Sequence, residues 1–151
     1  DGIKKNIGKT NIENVKNIFQ LYDLNRIVGN YELVISLMPY DSSLKWIYDK
    51  KFFNNMRINS FFINLGRGMH VKESDLISAL NTKLAAGAID VFENEPLADK
   101  SKLYDIKNLI LSPHVAAYDP NYWTNQYKLI RYNLTCFLKN NYCKMINLVQ
   151  K

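Results

Sequence analysis

Phe61-Phe62-Ile63-Asn64-Leu65-Gly66-Arg67-Gly68 is a short apolar run that breaks on two glycines with an arginine between them. A run of this length, closed by glycine, reads as a buried β-strand running into a tight turn. Glycine lets the backbone turn sharply and approach a ligand, because no Cβ stands in the way. Working outward, Leu33-Val34-Ile35-Ser36-Leu37-Met38 stops at Pro39, and Leu109-Ile110-Leu111 stops shortly before Pro113. Ala85-Ala86-Gly87-Ala88-Ile89-Asp90-Val91 is a third apolar run, made of small residues that allow close packing. All three read as further buried strands.

Helical signals alternate with these strands. Asp41-Ser42-Ser43 offers N-cap oxygens ahead of Leu44-Lys45-Trp46-Ile47-Tyr48 and Phe52-Phe53, which predicts a helix over 44–53. Lys72-Glu73-Ser74-Asp75 precedes Leu76, Ile77 and Leu80, whose spacing buries one face of a short helix. From Pro120 onward, Trp123, Tyr127, Ile130, Leu134 and Phe137 mark one face of the longest helix, a stripe that reads as packing. Near the start, Ile12, Val15, Ile18 and Phe19 predict a helix, and Leu24, Ile27 and Val28 a further turn or two. Strand alternating with helix predicts an α/β fold, a parallel sheet flanked by helices, closed by a long C-terminal helix.

The 151 residues, 47% hydrophobic and 23% charged, suffice for a globular domain with a sizeable core. No uncharged apolar run approaches the roughly 20 residues that cross a bilayer, so no membrane partner is expected. Asp1-Gly2-Ile3-Lys4-Lys5 opens no apolar leader, which makes the cytoplasm the expected compartment. The net charge is +6, but it comes mostly from scattered lysines, with only Arg26, Arg57, Arg67 and Arg131 beside them. Readers of phosphate and bases concentrate arginine for its bidentate fork, so the charge reads as a solvated surface and not as a nucleic-acid site. Cys136 and Cys143 have neither a CxxC nor a nearby histidine. They read as reduced thiols, with no metal site and no disulfide.

Parallel strands joined by crossovers place their carboxyl ends along one edge, where open α/β sheets bind ligands. That edge collects Pro39, Gly66 to Gly68, Asp90, and Pro113 to Ala117. Arg67, held between two glycines, suits a bidentate clamp on a carboxylate; the plainer reading is a surface arginine in a tight turn. His114, beside the small residues Val115, Ala116 and Ala117, suits proton exchange near neutral pH; the plainer reading is a hydrogen-bonded loop histidine. Glu95, ahead of Pro96, is placed to accept from the other ring nitrogen and to favour the imidazolium form. Asp90 closes an otherwise apolar strand and needs a partner or a ligand.

Asn64-Leu65-Gly66-Arg67-Gly68, Asp90-Val91-Phe92-Glu93-Asn94-Glu95-Pro96 and Ser112-Pro113-His114-Val115-Ala116-Ala117, in this order, resemble the carboxyl-terminal part of the D-isomer-specific 2-hydroxyacid dehydrogenases. The likeness runs from about Leu33 to Tyr142. Arg67-Gly68-Met69-His70-Val71 with Asp75-Leu76 and Ala79-Leu80 is most similar to the bacterial glyoxylate/hydroxypyruvate reductases. The resemblance implies a partial Rossmann-like, doubly wound parallel sheet and reduction of a small 2-oxo acid to the 2-hydroxy acid. It implies NADP(H) as favoured cofactor, with NAD(H) the alternative. Arg67 would hold the substrate, His114 would protonate the carbonyl oxygen, and Glu95 would hold His114 protonated. Pro39, Leu65, Gly66, Arg67, Asp90, His114, Ala116 and Ala117 would line the cofactor, and His70 would play a structural part.

The chain departs from the family pattern in one respect. Its six glycines, at 2, 8, 29, 66, 68 and 87, form no GxGxxG; starting from Gly66, the sixth position is Val71. The pyrophosphate cradle of a dinucleotide site depends on that turn. The expected domain content is therefore 1–151 as the later part of an NAD(P)-binding domain, without its first βαβ unit or a substrate domain. Lys4, Lys5 and Lys9 fall where a 2′-phosphate would be read, although solvated lysine is the plainer reading. Three roles follow: a fragment of a reductase, one piece of a split enzyme, or an inactive remnant serving as an interaction module. A homodimer, or association through exposed sheet edges, is the expected assembly.

Overall fold

Strands β1 (Leu33–Ser36), β2 (Phe61–Asn64), β3 (Ala86–Ile89) and β4 (Leu109–Leu111) form one sheet in the order β1-β2-β3-β4. All pairs are parallel, with Val34 opposite Phe62, Phe62 opposite Gly87, and Ala88 opposite Ile110. The computed structural model describes residues 15–148 and divides into two units, one ending at His114 and one beginning at Val115. The parallel α/β architecture predicted from the alternating pattern is the one observed.

In the first unit, β1 leads through α2 (Lys50–Asn55) to β2, and β2 through α3 (Glu73–Thr82) to β3. A single 3-10 turn, Lys102–Asp105, lies between β3 and β4. Asp49 caps α2 by accepting from the Phe52 amide at 3.0 Å, which satisfies one of the donors a helix start leaves open. The faces α2 and α3 turn inward carry Phe52, Phe53, Leu76, Ala79 and Leu80, all buried. They meet Phe62 and Ile89 from the sheet. Tyr48, Phe52, Phe53 and Phe62 pack edge to face, with ring centroids 4.8 to 5.8 Å apart. Each such pair contributes about 0.5–1.5 kcal/mol beyond the area it buries. The other face of the sheet carries Leu33, Ile35, Phe61 and Ile110, all exposed.

Two predicted helices differ. The helix expected over 44–53 is confined to Lys50–Asn55, preceded by a 3-10 turn at Ser42–Leu44. Asp41 does act as a cap there, accepting from the Ser43 amide at 2.9 Å. Beyond it the chain is captured laterally. Trp46 takes a left-handed φ of 56°, and the Trp46 and Tyr48 amides donate to the Met69 and His70 carbonyls, each at 2.9 Å. Amides paired this way are not available to a helical ladder. Of the helix expected near the start, Ile12 lies outside the described residues, as do Lys4, Lys5 and Lys9, and Val15 to Gln20 form no helix. Asn14 and Asn17, together with β-branched Val15 and Ile18, give that stretch poor helix propensity. The short turns at Leu24, Ile27 and Val28 are present, as a 3-10 turn, α1 (Leu24–Ile27) and a second 3-10 turn.

The second unit, which begins at Val115, is built on α4 (Tyr122–Leu138). Asn133 ties the helix to the segment after it, donating to the Ile146 carbonyl and accepting from the Ile146 amide, both at 2.9 Å. Cys136 is buried, as a small apolar residue on this helix should be. The stripe of Trp123, Tyr127, Ile130, Leu134 and Phe137, expected to be packed, is exposed. One helix and a short tail provide no opposing layer to cover it. No helix among the described residues is long and apolar enough to cross a membrane.

Candidate active site

Backbone pairing continues past the ends of the strands. The Leu65 amide donates to the Ser36 carbonyl at 3.0 Å, Asp90 to Asn64 at 3.0 Å, and Ser112 to Ile89 at 3.1 Å. The three following loops therefore leave the sheet in step, at one rim. Asn64, fully buried, starts the first of them: its side chain accepts from the Gly66 amide and donates to the Arg67 carbonyl, both at 3.1 Å. The two glycines are required for different contacts. A Cβ on Gly66 would lie 2.7 Å from the Met38 carbonyl oxygen, and one on Gly68 would lie 1.8 Å from that of Phe92. Gly66 thus holds its loop against the segment leading to Pro39, and Gly68 against the loop after β3.

Arg67 is exposed at this turn, and its Nη1 donates to the neighbouring Gly66 carbonyl at 2.7 Å. No carboxylate among the described residues forms an ion pair with it. A guanidinium with an internal acceptor and no acidic partner remains able to meet an incoming anion with its other donors.

Glu95 and His114 pair at the rim. His114 Nδ1 lies 2.8 Å from Glu95 Oε2. Glu95 Oε1 accepts from the Phe92 amide at 3.0 Å, so both carboxylate oxygens are engaged. The bond to His114, above all, holds the Glu95 carboxyl below its ordinary range, with the Phe92 amide adding to it. The His114 backbone takes a φ of 57°. Non-glycine residues rarely enter this left-handed region, and when they do they cluster at functional sites. Its amide is pinned by the Asp90 carbonyl at 2.8 Å and the Ser112 carbonyl at 3.0 Å. Imidazole geometry then turns Nε2 away from Glu95. Beside the pair opens a cavity of about 540 Å³, walled chiefly by Phe92, Pro96, Leu97, Tyr104, Leu111 and Pro113.

The partner that Asp90 requires is Ser112, whose hydroxyl donates to Asp90 Oδ1 at 2.6 Å. Asp90 is 2% exposed and braces β4 from within. Pro39 and Leu65 are exposed on the loops after β1 and β2. Ala116 and Ala117 belong to the second unit, in a turn closed by the Tyr118 amide on the Val115 carbonyl at 2.8 Å. His70 is fully buried, and neither ring nitrogen has a hydrogen-bond partner among the described residues. Burial first, and the Arg67 charge second, lower its pKa. Phe92 and Ser112 were not singled out from sequence. Ser112 could have been found as the hydroxyl beside Pro113 at a strand end, whereas Phe92 acts through its backbone and leaves no trace in residue type.

This rim fits the nicotinamide end of a dinucleotide. Leu37 and Leu65 offer exposed apolar surface at the ends of β1 and β2, and Arg67 and His114 are polar groups on loops of the same rim. A pyrophosphate cradle has no counterpart, since the sequence holds no GxGxxG.

Comparison with known proteins agrees. A family model described as the D-isomer-specific 2-hydroxyacid dehydrogenase NAD-binding domain matches residues 4–116. A probable 2-ketogluconate reductase of Dictyostelium discoideum is 39% identical over 94 residues, 62% of this chain and 28% of that protein. A glyoxylate/hydroxypyruvate reductase A of Enterobacter sp. is 40% identical over 96 residues, 63% of this chain and 31% of that protein. Among solved structures, a probable 2-hydroxyacid dehydrogenase from Rhizobium etli, in complex with NADP, superposes with a TM-score of 0.72 at 26% identity. That match covers 88% of this chain and 44% of the other. The chain thus spans less than half the length of these relatives. It belongs to the D-isomer-specific 2-hydroxyacid dehydrogenase family, through the NAD-binding domain.

Proposed function

We propose that this chain supplies the catalytic rim of an NADPH-dependent reductase that converts a small 2-oxo acid, such as glyoxylate or hydroxypyruvate, to the 2-hydroxy acid. The observation that carries this reading is the His114–Glu95 contact at 2.8 Å, made on the same rim of the sheet as Arg67, which has no acidic partner among the described residues. The bound dinucleotide supplies the hydride. Arg67 holds the substrate carboxylate and so fixes the orientation of the neighbouring carbonyl. His114 delivers a proton from Nε2 to the carbonyl oxygen, completing the hydroxyl. Glu95 holds Nδ1 of the imidazole and so keeps Nε2 oriented for the transfer. Pro39, Leu65 and Gly66 line the nicotinamide end, while Asp90 and Ser112 brace the rim beneath. NADPH over NADH follows the relatives' cofactor. The domain content proposed is the later part of an NAD(P)-binding domain, so the pyrophosphate cradle must come from residues this sequence does not contain.

A chimera tests the proposal, with the Enterobacter relative providing everything outside its matched segment and this chain providing the rest. It should reduce glyoxylate with NADPH, and His114→Ala should lower kcat by about 10²–10⁴-fold, the usual contribution of a positioned general acid. The isolated 151-residue chain should show little or no turnover. A chimera that folds and binds NADPH yet reduces no 2-oxo acid would overturn the reading.

A further inference from the structure

Glu73 and Glu93, twenty residues apart, hold each other by the backbone. The Glu73 amide donates to Glu93 Oε1 at 3.0 Å, and the Glu93 amide donates to Glu73 Oε1 at 2.8 Å. Two carboxylates gain nothing from facing each other. Burial, and then the Glu93 charge, push the Glu73 carboxyl above its ordinary range. What holds them together is the amides. Glu73 is the first residue of α3, and Lys72 before it provides no side-chain cap. Glu93 therefore caps α3 from a distant loop, a favourable place for a carboxylate. In return, Glu73 anchors the Glu93 amide within that loop.

The same loop carries Glu95. Phe92 donates its amide to Glu95 Oε1, and its carbonyl lies against Gly68. Glu93 follows immediately, two residues before Glu95, whose Oε2 meets His114. We propose that Glu73 and Glu93 are positioning residues for the imidazole: their reciprocal amide–carboxylate clasp ties the loop to α3 and thereby sets Glu95 against His114. Only the description of His114 as catalytic rests on the reductase reading. The clasp is tested without turnover.

The test follows the Glu95 side-chain carboxyl by carbon-detected NMR as the 151-residue chain is titrated. In the wild type its midpoint should lie below 4.5, and His114→Ala should raise it to the unpaired value. Glu93→Ala should move the midpoint at least halfway to that value. Glu93→Gln keeps the acceptor oxygen and should restore it. Glu73→Ala, which leaves the cap on α3, should shift the midpoint in the same direction. A folded Glu93→Ala chain with a wild-type Glu95 midpoint overturns the proposal; should that variant not fold, an unchanged midpoint in Glu73→Ala does so. An inactive chimera accompanied by these shifts would remove the reductase reading and leave the clasp standing.

Discussion

Gly68 and Phe92 are in contact through their backbones, with no room between them for a single additional carbon: a Cβ on Gly68 would sit 1.8 Å from the Phe92 oxygen and 1.9 Å from its carbonyl carbon. The contact joins the loop that carries Arg67 to the loop that carries Glu95.

Gly68→Ala should therefore destabilise the chain by about 3 kcal/mol, the upper range for overpacking a well-fitted site. Nothing flexible lies in the way, so the loops themselves must part. Urea unfolding of the two proteins measures the difference. A loss below about 1 kcal/mol would mean that the loops yield easily and that their contact does not fix the rim.

Glu95→Gln should change how stability responds to acid. Pairing with His114 lowers the folded pKa of Glu95. A carboxyl lowered in this way contributes stability that is complete above its unfolded value and is lost as pH falls through the folded one. Between about pH 5.5 and 3.5 the wild type should lose more stability than Glu95→Gln. Parallel losses in urea titrations at the two pH values would contradict the pairing.

His70 predicts a second acid effect, in a higher window. Its lowered folded pKa means that the unfolded chain takes up a proton first as pH falls. Stability is then complete above the ordinary value of 6.5 and declines below it, towards the folded value. His70→Leu removes a buried ring whose two nitrogens lack partners among the described residues. The variant should be as stable as the wild type at pH 7.5, or more so by about 1 kcal/mol, since unsatisfied buried polar groups are costly. It should also be flatter between pH 7 and 5.5. A marked loss at pH 7.5 would show that the imidazole makes a bond essential to the fold.

Arg67→Ala, placed in the active chimera, should raise KM and lower kcat together, because the clamp both binds and orients. Arg67→Lys should recover only part of the loss, since a point charge does not reproduce the bidentate fork. Steady-state kinetics with glyoxylate decide it. Wild-type constants in Arg67→Ala would remove this residue from the mechanism.

The strands were legible because each is an apolar run closed by glycine, proline or a polar residue, and burial on a parallel sheet leaves that mark directly. The pairing of Glu95 with His114 was legible for a related reason: a carboxylate and an imidazole at strand ends are visible as residue types. What escaped is carried by backbone. Trp46 and Tyr48 look helical in sequence, yet their amides pair with carbonyls more than twenty residues away. The clasp of Glu73 with Glu93 and the contact of Gly68 with Phe92 likewise join distant segments through amide and carbonyl groups, which every residue possesses. The stripe on α4 has helical spacing, but spacing alone does not say what covers a face.

The simple order of the sheet has an evolutionary implication. Each strand is laid beside its predecessor in one direction, so every loop at the rim delivers its own chemical group and can be exchanged without rethreading the others. The groups that the loops of Arg67 and His114 carry are to that extent separable modules. The backbone contact of Gly68 with Phe92 marks a seam where a graft would have to carry both sides across together.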